Sequence, residues 1–496
     1  MNAQPFSPWR KRLWPVHGYE LKKLIPMVMM FFLIIFNYQL LRDIKDALVV
    51  TSEGSGAEII PFLKFWGVLP SAFLFVMLYM KFSNSVNPSR LFYGSILPFT
   101  FFFGCFPIIY MFRDTIHPSE LADRLQAFLP QGFMGLIAMF RNWSYSLFYI
   151  MAELWGSVAL SLLFWGFANA TNSIEESKRF YPLFGLLGNM SLPAAGSIII
   201  ITSRFVSTAH HGSQDHWQTS LNWLMGAVVL STLLIMATYR WMHKHLQLQY
   251  HTNTHPKHPQ MKLIDSIKYL VSSRYLYLLT VLVVCYGFSI NLIEVTWKNR
   301  LKLQYPDPND YLEFMGFFTT CTGFFTIFMM LFVGGNMLRR FGWTITALFT
   351  PVVLLITGIG FFLCILGNTT VNQLTLLLGT TPLMLSVIFG MSQNILSKAS
   401  KYAMFDPTKE MAYIPLDEEQ KVKGKAAIDV IGARLGKSGG ALVQQALIIA
   451  FGTISAITPY LGIVLLLIIL SWSSAAWFLG KQFKKKTDGN NAISYP

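Results

Sequence analysis

Apolar runs of about 20 residues, the length needed to cross hydrocarbon as a helix, recur along the whole chain. They predict twelve spans, at 24–48, 60–81, 91–112, 142–169, 180–203, 219–240, 275–298, 313–335, 342–366, 373–398, 428–454 and 457–480. A membrane helix satisfies its own backbone groups, which lipid cannot do for an open strand. The short alternation of apolar and polar residues that marks an outer-membrane barrel is absent. Residues 113–141, with HPSELADRLQAFLPQGF, are more polar and broken by proline, and predict a surface helix before the fourth span.

After the sixth span the pattern stops. HKHLQLQYHTNTHPKHPQMK has no apolar period, and its histidines (His243, His245, His251, His255, His258) are irregularly spaced among lysines, as in a solvated linker and unlike a metal tract. The segments on either side echo each other. FNYQLLRDIKD (36–46) aligns with FSINLIEVTWK (288–298), placing Arg42 opposite Glu294, and EESKRFYPLFGLLGN (175–189) aligns with EEQKVKGKAAIDVIGARLGK (418–437). Both matches fall at equivalent spans. The expected fold is therefore all-α, two six-helix halves of the major-facilitator kind, with a ligand held between them. The boundaries expected are a tail 1–23, bundles 24–241 and 275–481, a linker 242–274 and a tail 482–496.

Composition agrees with the pattern: 53% of residues are hydrophobic and only 13% charged, too little polar surface for a soluble protein of this size. The net charge of +15 gathers at Arg10, Lys11, Arg12, Lys22 and Lys23, at Lys244, Lys257 and Lys262, and at Lys481 and Lys484 to Lys486. By the positive-inside rule these regions, both termini included, are expected in the cytoplasm. Charge that flanks spans argues against a nucleic-acid partner. The stretch before Leu24 has no short apolar core with a cleavage site, so the first span is expected to serve as the insertion signal. Cys105, Cys285, Cys321 and Cys364 lie apart in apolar segments and are expected to pack, without a metal.

Charges inside the spans carry the functional information. Glu153 lies deep in FYIMAELWGSVALSLLFWGFANA, Glu294 toward the end of the seventh span, and Arg42, Asp43, Lys45 and Asp46 within about one turn of the first. Each is costly against lipid and should face a partner or a wet cavity. Snorkelling at a helix end is the plain alternative for Asp43, and a structural ion pair the alternative for Glu153 and Glu294. GARLGKSGG (432–440) imitates a phosphate loop with one residue missing, but no strand precedes it and an apolar helix follows, so it is not an ATPase loop. That reading leaves Lys437 inside the eleventh span.

A cavity holding Lys45 and Lys437, with Arg42 or Arg434, balanced by Glu153 and Glu294, suits an organic polyanion. Trp155, Trp165 and Trp297 stand beside these charges and could stack a planar base, although membrane anchoring is the commoner role of such residues. No H-x-x-H, G-x-S-x-G or working carboxylate pair suggests an enzyme.

LRDIKDALVVT, GAEIIPFLKFW, AELWGSVALSLLFWGFAN, LIEVTWKNRLKLQYP, KYAMFDPTKEMAYIPLDEEQKVKGKAAIDV and LGKSGGALVQQ closely resemble the ATP/ADP translocases of plastids and of obligate intracellular bacteria such as chlamydiae. The resemblance runs from about residue 15 to 480 and is nearest to the chlamydial-type exchanger. It implies a twelve-helix antiporter that imports ATP against ADP, with a proton-coupled nucleotide symporter as the alternative. It implies substrate-site charges at Lys45, Glu153, Glu294 and Lys437; Arg42, Asn189, Lys298 and Arg434, in the same segments, are further candidates. It implies no cofactor, a lipid-embedded monomer, and a bacterial inner membrane.

Overall fold

The computed structural model describes residues 16–83, 85–209, 216–246, 273–367, 369–417 and 432–493, with 424, 425 and 428. Helices supply the regular structure, and no strand occurs among the described residues. The first half contains α1 (Gly18–Thr51), α2 (Ile59–Ser83), α3 (Pro88–Met111), α4 (Trp143–Thr171), α5 (Glu175–Thr208) and α6 (His216–His245). The second opens with α7 (Arg274–Gln304) and a continuous apolar stretch, Pro308–Leu366, that holds two spans. Gly342 separates them: its φ of 73° is left-handed, so α8 ends there and α9 occupies 343–366. The last spans are α10 (Pro382–Ser400, continued by Lys401–Phe405 and Asp406–Ala412), α11 (Ala433–Phe451) and α12 (Ile454–Ile493). Among the described residues these make the expected twelve, and the fold is that of a multi-pass membrane protein.

Two segments differ from the sequence pattern for local reasons. The tenth span begins at Pro382, not at 373, because Gly379 (φ 62°) stops the short helix Thr369–Leu378 and Thr381 caps a new one, its hydroxyl accepting from Met384 N at 3.1 Å. Between α3 and α4 the expected surface helix is three short ones, Arg113–Ile116, Ser119–Phe128 and Met134–Arg141, interrupted near Pro118 and Pro130. The linker after α6, with His251, His255 and His258, lies outside the described residues.

Each half carries the same irregularities. The second and fourth helices of the first half contain π-helical turns, at Leu63–Val68 in α2 and Gly156–Phe164 in α4. Their counterparts in the second half have them too, at Met329–Gly334 in α8 and Lys401–Phe405 in α10. A π turn rotates every later side chain around the helix, and such turns gather at functional sites. Glu153 stands three residues before its turn and Lys398 three before the corresponding one, which makes them equivalent positions.

The halves meet through small residues and hydrogen bonds. A Cβ on Gly196 of α5 would lie 2.4 Å from the carbonyl oxygen of Gly316 in α8, so only glycine allows this approach. Farther along the same seam Asn309 donates to Ser203 O (3.1 Å) and Ser207 Oγ (2.9 Å). Gln445 of α11 donates to Pro61 O at 2.7 Å and accepts from Trp66 Nε1 at 3.2 Å. Lys302 donates to the carbonyl of Ser55, in the α1–α2 turn. This end of the molecule, around residues 51–61, is thus joined across the two halves.

Candidate functional site

The site grows from one face of α1. Arg42, Lys45 and Asp46 recur at spacings of three and four, so they project toward the same side, where α4, α2 and α7 converge. Lys45 is 2% exposed, and its ammonium lies 2.9 Å from Asp46 Oδ1 and 3.0 Å from Glu153 Oε1. It also sits 3.8 Å from the ring centroid of Tyr149, one turn before Glu153 on α4. A lysine so buried stays charged only with such partners.

Glu294 is the hub from the other half. Its Oε1 is 3.0 Å from both Arg42 Nη2 and Lys298 Nζ, and its Oε2 is 3.3 Å from Lys64 Nζ. Lys64 also donates to Asn291 Oδ1 at 2.6 Å. Lys298 reaches back to Asp46, Nζ to Oδ2 2.7 Å, a charge contact without well-aligned hydrogen-bond geometry. Arg42 and Lys64 belong to the first half and Glu294 to the second, while Lys298 and Asp46 cross in the opposite sense. Side-chain exposures of 25% for Glu153, 21% for Arg42 and 19% for Lys64 show that the cluster borders open space.

Asp43 lies beside this network on neutral partners. It accepts from Thr319 Oγ1 of α8 at 2.7 Å and from Gln39 Nε2 at 3.3 Å. Lys398 of α10 has its ammonium 4.5 Å from the ring centroid of Phe318 and no carboxylate within 4 Å among the described residues.

Lys437 stands one turn into α11, and the geometry explains its glycines. A Cβ on Gly436 would come within 2.8 Å of Val284 O, and one on Gly440 within 3.2 Å of Asn291 Cβ, so these two residues let α11 press on α7. Lys437 itself is exposed, makes no ion pair among the described residues, and lies within electrostatic range of Glu153.

Of the sequence candidates, Arg42, Lys45, Glu153, Glu294 and Lys298 form one connected set, and Lys437 lies within electrostatic range of its Glu153. Glu294 stands two to three turns before the end of α7, because the helix runs on to Gln304, beyond the apolar run. Asn189 is elsewhere: its amide donates to Gly185 O at 2.7 Å and to Met330 Sδ at 3.7 Å. Arg434 lies in α11, and its side chain is outside the described residues. Sequence reasoning missed Lys64, Asp46 as the ion-pair partner of two lysines, Asn291 and Lys398. Two tryptophans are neither base stackers nor anchors: Trp155 and Trp297 are fully buried and donate to Ile34 O (3.1 Å) and Val387 O (3.0 Å). Trp165 packs edge-on against Phe31 and Tyr181.

Such a set of basic groups, held by carboxylates between two halves, can exchange a carboxylate for a phosphate at each cation. Among the described residues no group of His, Cys, Asp and Glu is arranged to hold a metal ion.

Comparison with known proteins extends this picture. A family model described as TLC ATP/ADP transporter matches residues 1–483. The chain is 53% identical over 491 residues to "ADP,ATP carrier protein 1" of Chlamydia pneumoniae, covering 97% of this chain and 95% of that protein. It is 50% identical to "ADP,ATP carrier protein 2, chloroplastic" of Arabidopsis thaliana (97% and 77% covered), and 39% identical to "ADP,ATP carrier protein 1" of Rickettsia typhi (98% of each). Among solved structures, a bacterial homologue of the iron transporter ferroportin superposes with a TM-score of 0.60 at 13% identity, covering 94% of this chain and 100% of that one. A D-xylose–proton symporter gives 0.54 at 12%, covering 93% and 97%. At these identities the structures speak for the fold alone.

Proposed function

The chain belongs to the TLC ATP/ADP transporter family, and from that membership we propose that it exchanges ATP for ADP across a bacterial inner membrane by alternating access. It is a carrier and not an enzyme. The observation that carries the mechanism is the Glu294 hub: three cations, two of them from the opposite half, converge on one carboxylate between the bundles.

In this reading the nucleotide's phosphates replace carboxylate oxygens at the basic groups. Arg42 and Lys64 turn from Glu294 to phosphate, Lys437 closes on the ligand, and Lys45 stays oriented by Asp46 and Glu153. Without a ligand the cations are held by Glu153 and Glu294, and closing the halves over the empty cleft would bury positive charge that no nucleotide compensates. The empty carrier then reorients slowly, which is what makes transport an exchange. The joined end around residues 51–61 is outer if Lys22, Lys23 and the Lys481 region are cytoplasmic, and the arrangement corresponds to an inward-facing carrier. The bundles are assigned to 24–241 and 275–481, joined by 242–274, as a monomer.

Proteoliposomes test the proposal. Vesicles loaded with ADP should take up labelled ATP, empty vesicles should not, and a proton gradient without internal nucleotide should not substitute. Lys45→Ala or Lys437→Ala should nearly abolish uptake while Lys485→Ala keeps it. Uptake into empty vesicles driven by a proton gradient would replace the exchanger with a symporter.

A further inference from the structure

The charged cluster is not balanced. Among the described residues six basic side chains (Arg42, Lys45, Lys64, Lys298, Lys398, Lys437) face four carboxylates (Asp43, Asp46, Glu153, Glu294). Four of the six are in ion pairs within 4 Å; the excess positive charge rests on Lys437 and Lys398. Lys437 is exposed. Lys398 is partly buried, with Arg42, Glu294, Asp43 and Lys298 all within electrostatic range and none of the carboxylates close enough to pair.

Its position is a resting place. The ring face of Phe318 attracts the ammonium without neutralising it, so the charge remains available. A lysine stem is long and flexible enough to move its charge to a better acceptor. The repeat supplies a second argument. Lys398 occupies in α10 the position that Glu153 occupies in α4, three residues before a π turn, so the two charges stand at equivalent places in the two halves, Glu153 beside Lys45 and Lys398 within electrostatic range of Arg42 and Glu294.

We propose that Lys398 is a further substrate residue, a lysine that leaves Phe318 to bind the phosphate chain of the nucleotide. The assignment rests on the exchange reading above and adds to it the one cation that, among the described residues of the site, is partly buried and free of a carboxylate partner. It also explains why a site facing polyanions would keep an unmatched charge inside a membrane, where such a charge is costly until a ligand compensates it.

The test uses the full-length protein in detergent, with ATP as probe. Wild type should melt at a higher temperature with ATP than without. Lys398→Gln should keep the nucleotide-free transition of wild type but need about tenfold or more ATP for half the shift, the scale of a lost charge-assisted hydrogen bond. Lys398→Arg should recover most of the affinity, and Lys485→Gln should match wild type. Because the glutamine variant could fail to fold, amine-reactive labelling of wild type read by mass spectrometry gives an independent arm: ATP should protect Lys398 and adenosine should not. A wild-type ATP shift with unchanged ATP dependence in Lys398→Gln, or with equal labelling of Lys398 under ATP and adenosine, overturns this assignment alone. Absence of any ATP shift in wild type sinks the exchange reading and the assignment together.

Discussion

Lys298 of α7 places its ammonium 2.7 Å from Asp46 of α1, with both side chains 2% exposed or less, so an ion pair between the two halves lies shielded from water. Removing one partner leaves the other charge buried, which costs about 3–5 kcal/mol where no rearrangement relieves it. Asp46 keeps Lys45 when Lys298 is lost, so the loss should fall toward the lower end of that range. Lys298→Met should therefore lower the melting temperature sharply. The double variant Asp46→Asn/Lys298→Met should melt closer to that single variant than the sum of the two single shifts predicts, because the second change removes a carboxylate that has already lost one of its two lysines. Additive shifts would show that the two groups do not act as a pair.

The contact between Gly436 and Val284 O yields a prediction that separates packing from charge. A methyl at Gly436 would meet carbonyl oxygen at 2.8 Å and push α11 off α7, an overpacking cost of about 1–3 kcal/mol, carrying Lys437 with it. At Gly432 the nearest atom to such a methyl is 3.7 Å away, an ordinary contact. Gly436→Ala should thus reduce exchange and stability together, whereas Gly432→Ala should leave both near wild type. Equal effects in the two variants would remove the close approach as the reason for glycine.

Much of the site was readable in the chain because a charge with apolar residues on both sides has no interface to reach. Glu153 and Lys45 qualify, and the pairing of Arg42 with Glu294 was foreshadowed by their opposition in the repeat. Lys64 was not readable: five residues after Ile59 begins the helix, it resembles any lysine near a span end, and its pairing with Glu294 depends on how α2 and α7 pack, which the sequence of α2 does not state. Lys398 was hidden by SQNILSKASKYAMF, polar enough to look like the end of a span. The helix in fact continues through a π turn to Ala412, which keeps Lys398 inside the bundle. The twelve spans follow from apolar length, but the start of α10 depended on the turn at Gly379 and the Thr381 cap, which hydropathy does not weigh.

His117, between α3 and α4, gives a pH dependence. Its Nε2 lies 2.7 Å from Ser144 Oγ and its ring stands edge-on to Tyr145 at 4.8 Å. Burial disfavours the imidazolium and holds the pKa below the ordinary 6.5; Asp114 opposes this and Arg113 adds to it. The folded state therefore binds fewer protons than the unfolded state just below pH 6.5, and stability present above that value is lost as the pH falls through the lower folded pKa. Acidification from about pH 7.5 to about pH 5.5 should lower the melting temperature of wild type more than that of His117→Asn, which has no ring to titrate. Parallel losses in the two proteins would exclude His117 as a source of acid sensitivity.

The seam between α5 and α8 must open if the carrier alternates, and it offers a direct test. Asn309 bridges to Ser203 and Ser207, and Ser220 of α6 donates to its side-chain oxygen at 2.7 Å, so one residue of the second half is held by two helices of the first. None of these groups belongs to the charged cluster, so fixing them together should leave nucleotide binding intact while stopping transport. With the native cysteines replaced, Ser207→Cys/Asn309→Cys joined by a short thiol cross-linker should lose ATP uptake into ADP-loaded vesicles and regain it when a cleavable linker is reduced. ATP should still raise the melting temperature of the cross-linked protein, since the cleft is reached from the opposite end. If exchange continued at the wild-type rate with the seam covalently closed, separation of α5 from α8 would not be a step of transport, and the slow reorientation argued from the Glu294 hub would have to involve a different motion.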